Sequence, residues 1–198
     1  MLRFLTVATL LLLLASSAII AASQIVSNPV EELPRADDAS GAQTGVPDYT
    51  LETLRGAEVR LSSLRGRVVL LDFFTATCPH CKEHAPFVAD LAKRHRDRGL
   101  VVLNMCPHNP YVDRELVEGY MRAAKIENDI VWSPQELFTA YMMPNKDGRL
   151  GVPQAVLFGA DGRVVARFLD WDERGKTEVE QTIVEQLNSA PKAGSVKR

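Results

Sequence analysis

Two aliphatic runs dominate the hydrophobic pattern of the chain, VVLLDFF at 68–74 and LVVLNM at 100–105. Neither alternates with polar positions, which marks strands buried on both faces. Between them Phe87, Val88, Leu91 and Ala92 recur at helical spacing, and Gly99 stands where a left-handed residue ends a helix. Strand, helix and strand in this order predict a parallel crossover of right-handed sense. Upstream, the short apolar runs of DYTLETLRGAEVRLSSLRGR break at Gly56 and Gly66, which predicts a hairpin and a turn. Downstream, AVLF and RVVARFL joined through GADG predict an antiparallel hairpin that closes the sheet.

Three further helices are expected. One covers about 112–125, with Val112, Leu116, Val117, Tyr120 and Met121 on one stripe and Asn109 and Pro110 at its start. The second opens at SPQE, where Ser133 caps, Pro134 takes the first helical position and Glu136 completes a capping box. These two read as a helical insertion. The last begins at TEVE, with Thr177 and Glu180 as another capping box and Val179, Ile183 and Leu187 facing inward. The expected class is α/β, a central mixed sheet flanked by helices, with an N-terminal β-hairpin.

The first 23 residues differ in kind. After Arg3, FLTVATLLLLLASSAIIAA carries no charge and ends among small residues, the pattern of an export signal. Its length is also close to the ~20 apolar residues that span a bilayer. Residues 1–23 are therefore expected to be a signal peptide or a membrane anchor. Residues 24–46 mix Pro, Gly, Ala and acids without period and read as a flexible linker. One folded domain over 47–190 and a disordered tail over 191–198 complete the chain. Such a protein works outside the cytoplasm, in a bacterial periplasm or at the outer face of the inner membrane, or is secreted if the signal is cleaved. Thiols oxidise readily there. With 23 Lys and Arg against 25 Asp and Glu, the net charge of −2 supplies no basic field for nucleic acid or an anionic membrane.

That compartment directs attention to FFTATCPHCKEHAP at 73–86. Cys78 falls where strand gives way to helix and Pro79 lies in the first turn, so the sulfur would sit near unpaired amides at the positive end of the helix dipole. This setting favours the thiolate, the form that attacks disulfides. Cys81, one turn on, lies within disulfide reach and is expected to be the less exposed partner. Cys78 would exchange through a mixed disulfide that Cys81 resolves. An imidazolium at His80 would further stabilise the thiolate. Asp72 is an acid inside a hydrophobic strand, costly to bury unless used or paired. Placed under the helix start, it could take the proton of Cys81 during resolution, or it is a salt-bridged or strand-edge acid.

From VPDYTLETLRGAEVRLSSLRGRVVLLDFFTATCPHCKEHAPF, from Pro86 eight residues after Cys78, and from GVPQAVLFGADGRVVARF, the chain resembles the TlpA/ResA-like thiol:disulfide oxidoreductases of the thioredoxin superfamily over 47 to about 188. The resemblance implies a thioredoxin-like fold and an exported enzyme with no cofactor beyond a Cys78–Cys81 disulfide. It implies protein thiols or disulfides as partners, a membrane redox partner, and service to cytochrome c maturation or thiol-redox homeostasis. It also implies that Val152 precedes a cis Pro153 facing the redox pair, so that Pro79, His80, Val152 and Pro153 line the substrate groove. Asp72 matches the buried acid of thioredoxin. Three features depart: Thr77 replaces the usual tryptophan, MMPNKDGRL lengthens the loop before Pro153, and the Pro79-His80 dipeptide is that of the DsbA oxidants.

Other readings compete. A copper or zinc chaperone could ligate through Cys78, His80, Cys81 and His84, but no second ligand pair completes a familiar site. A dedicated electron carrier without broad turnover is the other alternative. Covalent haem attachment requires histidine where Lys82 stands. A peroxidase of the peroxiredoxin type requires proline where Leu71 stands. A structural staple would close too short a loop to restrict the unfolded chain much. Cys106 reads as a small buried hydrophobe, Trp132 and Trp171 as core or edge residues, and His95 within KRHRDR as part of a solvated face.

Overall fold

The computed structural model describes residues 48–145, 147–169 and 171–190. The expected leader, linker and tail all lie outside the described residues. Among those described, no helix is long and apolar enough to cross a membrane.

The chain opens with β1 (Thr50–Glu52) and β2 (Glu58–Arg60), paired antiparallel as a separate two-stranded sheet. Gly56 and Gly66, at φ 81 and 89, occupy the left-handed region where a Cβ would be strained. The main sheet contains β3 (Val68–Phe73), β4 (Leu100–Cys106), β5 (Ile130–Trp132), β6 (Gln154–Phe158) and β7 (Val164–Phe168), in the order β5-β4-β3-β6-β7. β3, β4 and β5 run parallel, while β6 and β7 are antiparallel additions. The sheet is mixed, as the sequence predicts.

Four α-helices accompany it: α1 (Pro79–His95), α2 (Arg114–Ala124), α3 (Gln135–Tyr141) and α4 (Glu173–Ser189). β3 is buried along its whole length, and its side chains alternate between the faces. Val69, Leu71 and Phe73 join a core with the opening hairpin and α3. Val68 and Leu70 meet Val88 and Leu91 of α1 and Val179 and Ile183 of α4. By the same period of two, Asp72 belongs to the face that α1 covers.

Several expected boundaries move, each because a tertiary contact outweighs a local preference. Ser133 does not cap α3, because its N–H extends the β5 pairing by donating to the Cys106 carbonyl at 2.7 Å; Pro134 becomes the cap residue. α4 starts four residues before Thr177, with Asp172 accepting from the Gly175 N–H at 2.7 Å, and the Thr177 hydroxyl bonds back to the Glu173 carbonyl. α2 starts at Arg114, and Val112 and Leu116, expected on its buried stripe, are exposed. β5, only three residues long, carries no periodic signal of its own and is absent from the predicted elements. His95 is buried against α4, 3.6 Å from the Glu180 carboxylate, rather than on a solvated face.

Candidate active site

β3 delivers its C-terminal end to the sheet edge, and residues 74–77 turn it into α1. The Phe74 N–H still bonds the Met105 carbonyl at 3.2 Å, so strand geometry persists one residue past β3. The Cys78 N–H then closes a turn on the Thr75 carbonyl at 3.1 Å. Cys78 is the N-cap of α1, with extended backbone at φ −78 and ψ 118. Pro79 occupies the first helical position, where a missing N–H costs nothing.

The cap group is a sulfur. Cys78 Sγ accepts from the Cys81 N–H at 3.2 Å, taking one of the amides that a helix start leaves unpaired. The sulfur thus sits at the amide end of α1, the positive end of its dipole. Cys78 is half-buried, whereas Cys81, one turn later, is fully buried. Burial, and then the hydrogen bond and charge of Cys78, push the Cys81 thiol well above the ordinary cysteine range, and the charge of Asp72 adds to this. All three cysteines are free.

A second strand of backbone faces the pair. The Val152–Pro153 peptide is cis, and the Val152 carbonyl oxygen lies 3.6 Å from Cys78 Sγ, within reach of a thiol hydrogen. Two side chains hold this segment in place. Trp171 donates its indole N–H to the Pro153 carbonyl at 3.1 Å. Gln154, buried, donates to the carbonyls of Met143 and Gly151 at 2.8 and 2.7 Å and accepts from the Met143 N–H at 2.9 Å. The long loop before Pro153 is therefore tied to β6. On the other side, His108 Nε2 accepts from the Ala76 N–H at 3.2 Å, bracing the turn that leads to Cys78.

Asp72 lies within the interior at 2% exposure, and His84 is its partner, with Nε2 3.1 Å from Oδ1. His84 Nδ1 is 3.3 Å from the His80 carbonyl. Burial acts to lower the His84 value, but the charge and hydrogen bond of Asp72 outweigh it and hold the imidazole above its usual range. The ring packs on Trp171 with 4.5 Å between centroids. His80, by contrast, is exposed, its imidazole 3.5 Å from Glu83.

Cys78, Cys81, Pro79, Val152 and Pro153 thus converge, Asp72 lies behind them, and the His80 ring points to solvent. In the sequence His84 reads only as a candidate metal ligand. Its position three residues after Cys81 on the inner face of α1 is the signal that could have paired it with Asp72. Among the described residues no group of three or more His, Cys, Asp or Glu side chains is placed to hold a metal ion. Nothing in the local sequence marks the contacts of Gln154 or Trp171.

The chain matches the profile of the AhpC/TSA family over residues 42–167. It is 31% identical over 144 residues to Protein DipZ of Mycobacterium tuberculosis (strain CDC 1551 / Oshkosh), a match covering 73% of this chain and 20% of that protein. Against Thiol-disulfide oxidoreductase ResA of Bacillus subtilis (strain 168) it is 24% identical over 120 residues, 60% of this chain and 62% of the relative. The chain thus spans less than two thirds of the length of either relative. Among solved structures, a putative protein disulfide isomerase from Bacteroides thetaiotaomicron superposes with a TM-score of 0.64 at 26% identity, covering 73% of this chain and 89% of that one.

Proposed function

The chain belongs to the AhpC/TSA family of thioredoxin-like proteins, and from that premise we propose that it is an extracytoplasmic thiol:disulfide oxidoreductase acting on protein thiols and disulfides through Cys78 and Cys81. The observation that carries this reading is the sulfur cap, in which the Cys81 N–H bonds the more exposed Cys78 sulfur while the Cys81 thiol is sealed beneath. Cys78 is the nucleophile. Its thiolate attacks a partner disulfide, one partner sulfur leaves as thiolate, and a mixed disulfide forms. Cys81 then attacks Cys78, forming the Cys78–Cys81 bond and releasing the second partner thiolate. Run backward, the same steps oxidise a partner dithiol.

The Val152 carbonyl, 3.6 Å from the reacting sulfur, supports the role of Val152 and Pro153 as the edge on which an extended partner segment lies. Pro79 and His80 form the opposite, exposed lip. Asp72 receives the Cys81 proton. A peroxidase is disfavoured because Leu71, where that chemistry expects proline, is an interior strand residue at 0% exposure. The names of the relatives support exchange, and the apolar segment at 1–23 supports placement outside the cytoplasm with a membrane redox partner. Cytochrome c maturation is one apparatus such an exchange would serve.

Trapping tests the reading. Cys78→Ser should abolish exchange, whereas Cys81→Ser should accumulate mixed disulfides visible on non-reducing gels. Activity of both variants equal to wild type would refute it. Insulin reduction separates a broad enzyme from a dedicated carrier, which should turn insulin over poorly.

A further inference from the structure

His84 faces two acceptors. A carbonyl oxygen only accepts, so the Nδ1 contact with His80 at 3.3 Å requires a hydrogen on Nδ1. The Nε2 contact with Asp72 at 3.1 Å then requires one further proton between ring and carboxyl. Without it, a nitrogen lone pair would oppose a carboxylate where the two side chains are only 2% and 3% exposed. The geometry is satisfied by an imidazolium on a carboxylate, and Asp72 keeps a second oxygen able to accept.

The pair also lies between two environments. On the inner side is Cys81, one helical turn before His84, whose thiol feels the charge of Asp72. On the same side the Tyr120 hydroxyl donates to the Cys81 carbonyl oxygen at 2.9 Å. On the outer side a cavity of about 420 Å3 opens, with His84 among its lining and His80, Glu83 and Lys176 as its other titratable groups. Trp171, resting on the His84 ring and bonded to Pro153, forms one wall.

We propose that His84 is a positioning residue for resolution: it holds the Asp72 carboxyl through Nε2 and links it to solvent through this cavity, so that the two act as one proton-accepting unit for Cys81. The proposal rests on the exchange mechanism above. In the step it governs, the Cys81 thiol passes its proton to Asp72 and the resulting sulfur electron pair forms the bond to Cys78. The electrons of the Cys78–partner bond leave on the partner sulfur, which takes its own proton from water.

The test uses the reduced protein and dithiobis(nitrobenzoate), followed by stopped flow. The first thionitrobenzoate release reports attack by Cys78, and the second reports resolution by Cys81. His84→Gln leaves an amide able to bond Asp72 but no charge. The expected result is a second phase slowed on the order of 10²-fold relative to the first, the low end of what positioned proton transfer contributes, with a displaced pH profile. A folded variant with unchanged phase ratio and profile would overturn the proposal. Should the variant not fold, NMR titration of the His84 ring in wild type decides. The midpoint should differ between dithiol and disulfide forms, and identical midpoints would overturn the proposal. If wild type releases only one equivalent, the exchange reading itself fails and this inference falls with it; a two-phase wild type with an unaffected variant removes only the role of His84.

Discussion

Tyr120 donates its hydroxyl hydrogen to the Cys81 carbonyl oxygen at 2.9 Å, while its ring stacks on Phe74 with 4.7 Å between centroids. One side chain of α2 therefore grips the turn that carries Cys78 at both ends. Burial, then the charges of Asp72 and Cys81, push the phenol above its usual range, so it remains a donor throughout physiological pH. Tyr120→Phe should keep the stacking and lose the hydrogen bond, lowering stability by about 1 kcal/mol. Tyr120→Ala should cost about 3–5 kcal/mol, the range for removing a buried aromatic ring. Urea unfolding of the reduced protein measures both.

Gln154 makes three hydrogen bonds that tie the 143–151 loop to the cis-proline segment. Gln154→Leu should strand those backbone groups and cost about 1–3 kcal/mol. Limited proteolysis should then cut between 143 and 151 faster than in wild type, and KM for a protein disulfide should rise while the rate with a small disulfide changes little. Unchanged proteolysis would show that the loop is held by other contacts.

The Asp72–His84 pair gives stability a pH dependence whose sign is set by the raised His84 value. A group whose folded value lies above its unfolded one stabilises fully below the unfolded value, about 6.5 for histidine, and loses that contribution as pH rises through the folded value. The urea midpoint of wild type should therefore fall more steeply above pH 6.5 than that of Asp72→Asn, in which the carboxylate no longer opposes burial and only the His80 carbonyl still favours the charged ring. Parallel slopes would contradict the pairing.

Two buried thiols add a second, more alkaline dependence. Burial pushes Cys106 up to about 12, and Cys81 is raised as well. Unfolded thiols ionise near about 8.5 while the folded ones stay protonated, so the reduced protein should lose stability from there upward. Disulfide formation removes the Cys81 part, and Cys106→Ala should remove the other. Midpoints between pH 8 and 10 for the dithiol, the disulfide and the variant give the comparison. Native Cys106 should also resist iodoacetamide under conditions where Cys78 reacts.

What was legible in the chain was local. The aliphatic runs at 68–74 and 100–105 are strands β3 and β4, the apolar stripe between them is α1, Gly99 ends the intervening segment at φ 103, and AVLF with RVVARF forms the β6–β7 hairpin. Each depends on side-chain period or on backbone freedom within a few residues, which sequence carries directly. The position of two cysteines at a strand-to-helix junction is local in the same sense, because helix geometry alone puts residues three apart on one face.

What only the tertiary structure decided joins distant segments. Asp72 meets His84 from another element, Cys78 meets the Val152 carbonyl across 74 positions, and Trp171 bridges His84 and Pro153. Helix starts at Ser133 and Thr177 look well formed in isolation, yet sheet pairing at Ser133 and the Asp172 cap override them. Val112 and Leu116 are apolar at helical spacing and still face solvent, because α2 turns Val117, Tyr120 and Ala124 inward and Val112 precedes its first turn. Local spacing specifies which backbone form a segment favours. Which side chains touch is settled by packing all elements at once: Asp72 and the Val152–Pro153 segment are expected beside the cysteine pair from the sequence and its family resemblance, while the partners that hold them, His84, Trp171 and Gln154, emerge only in the fold.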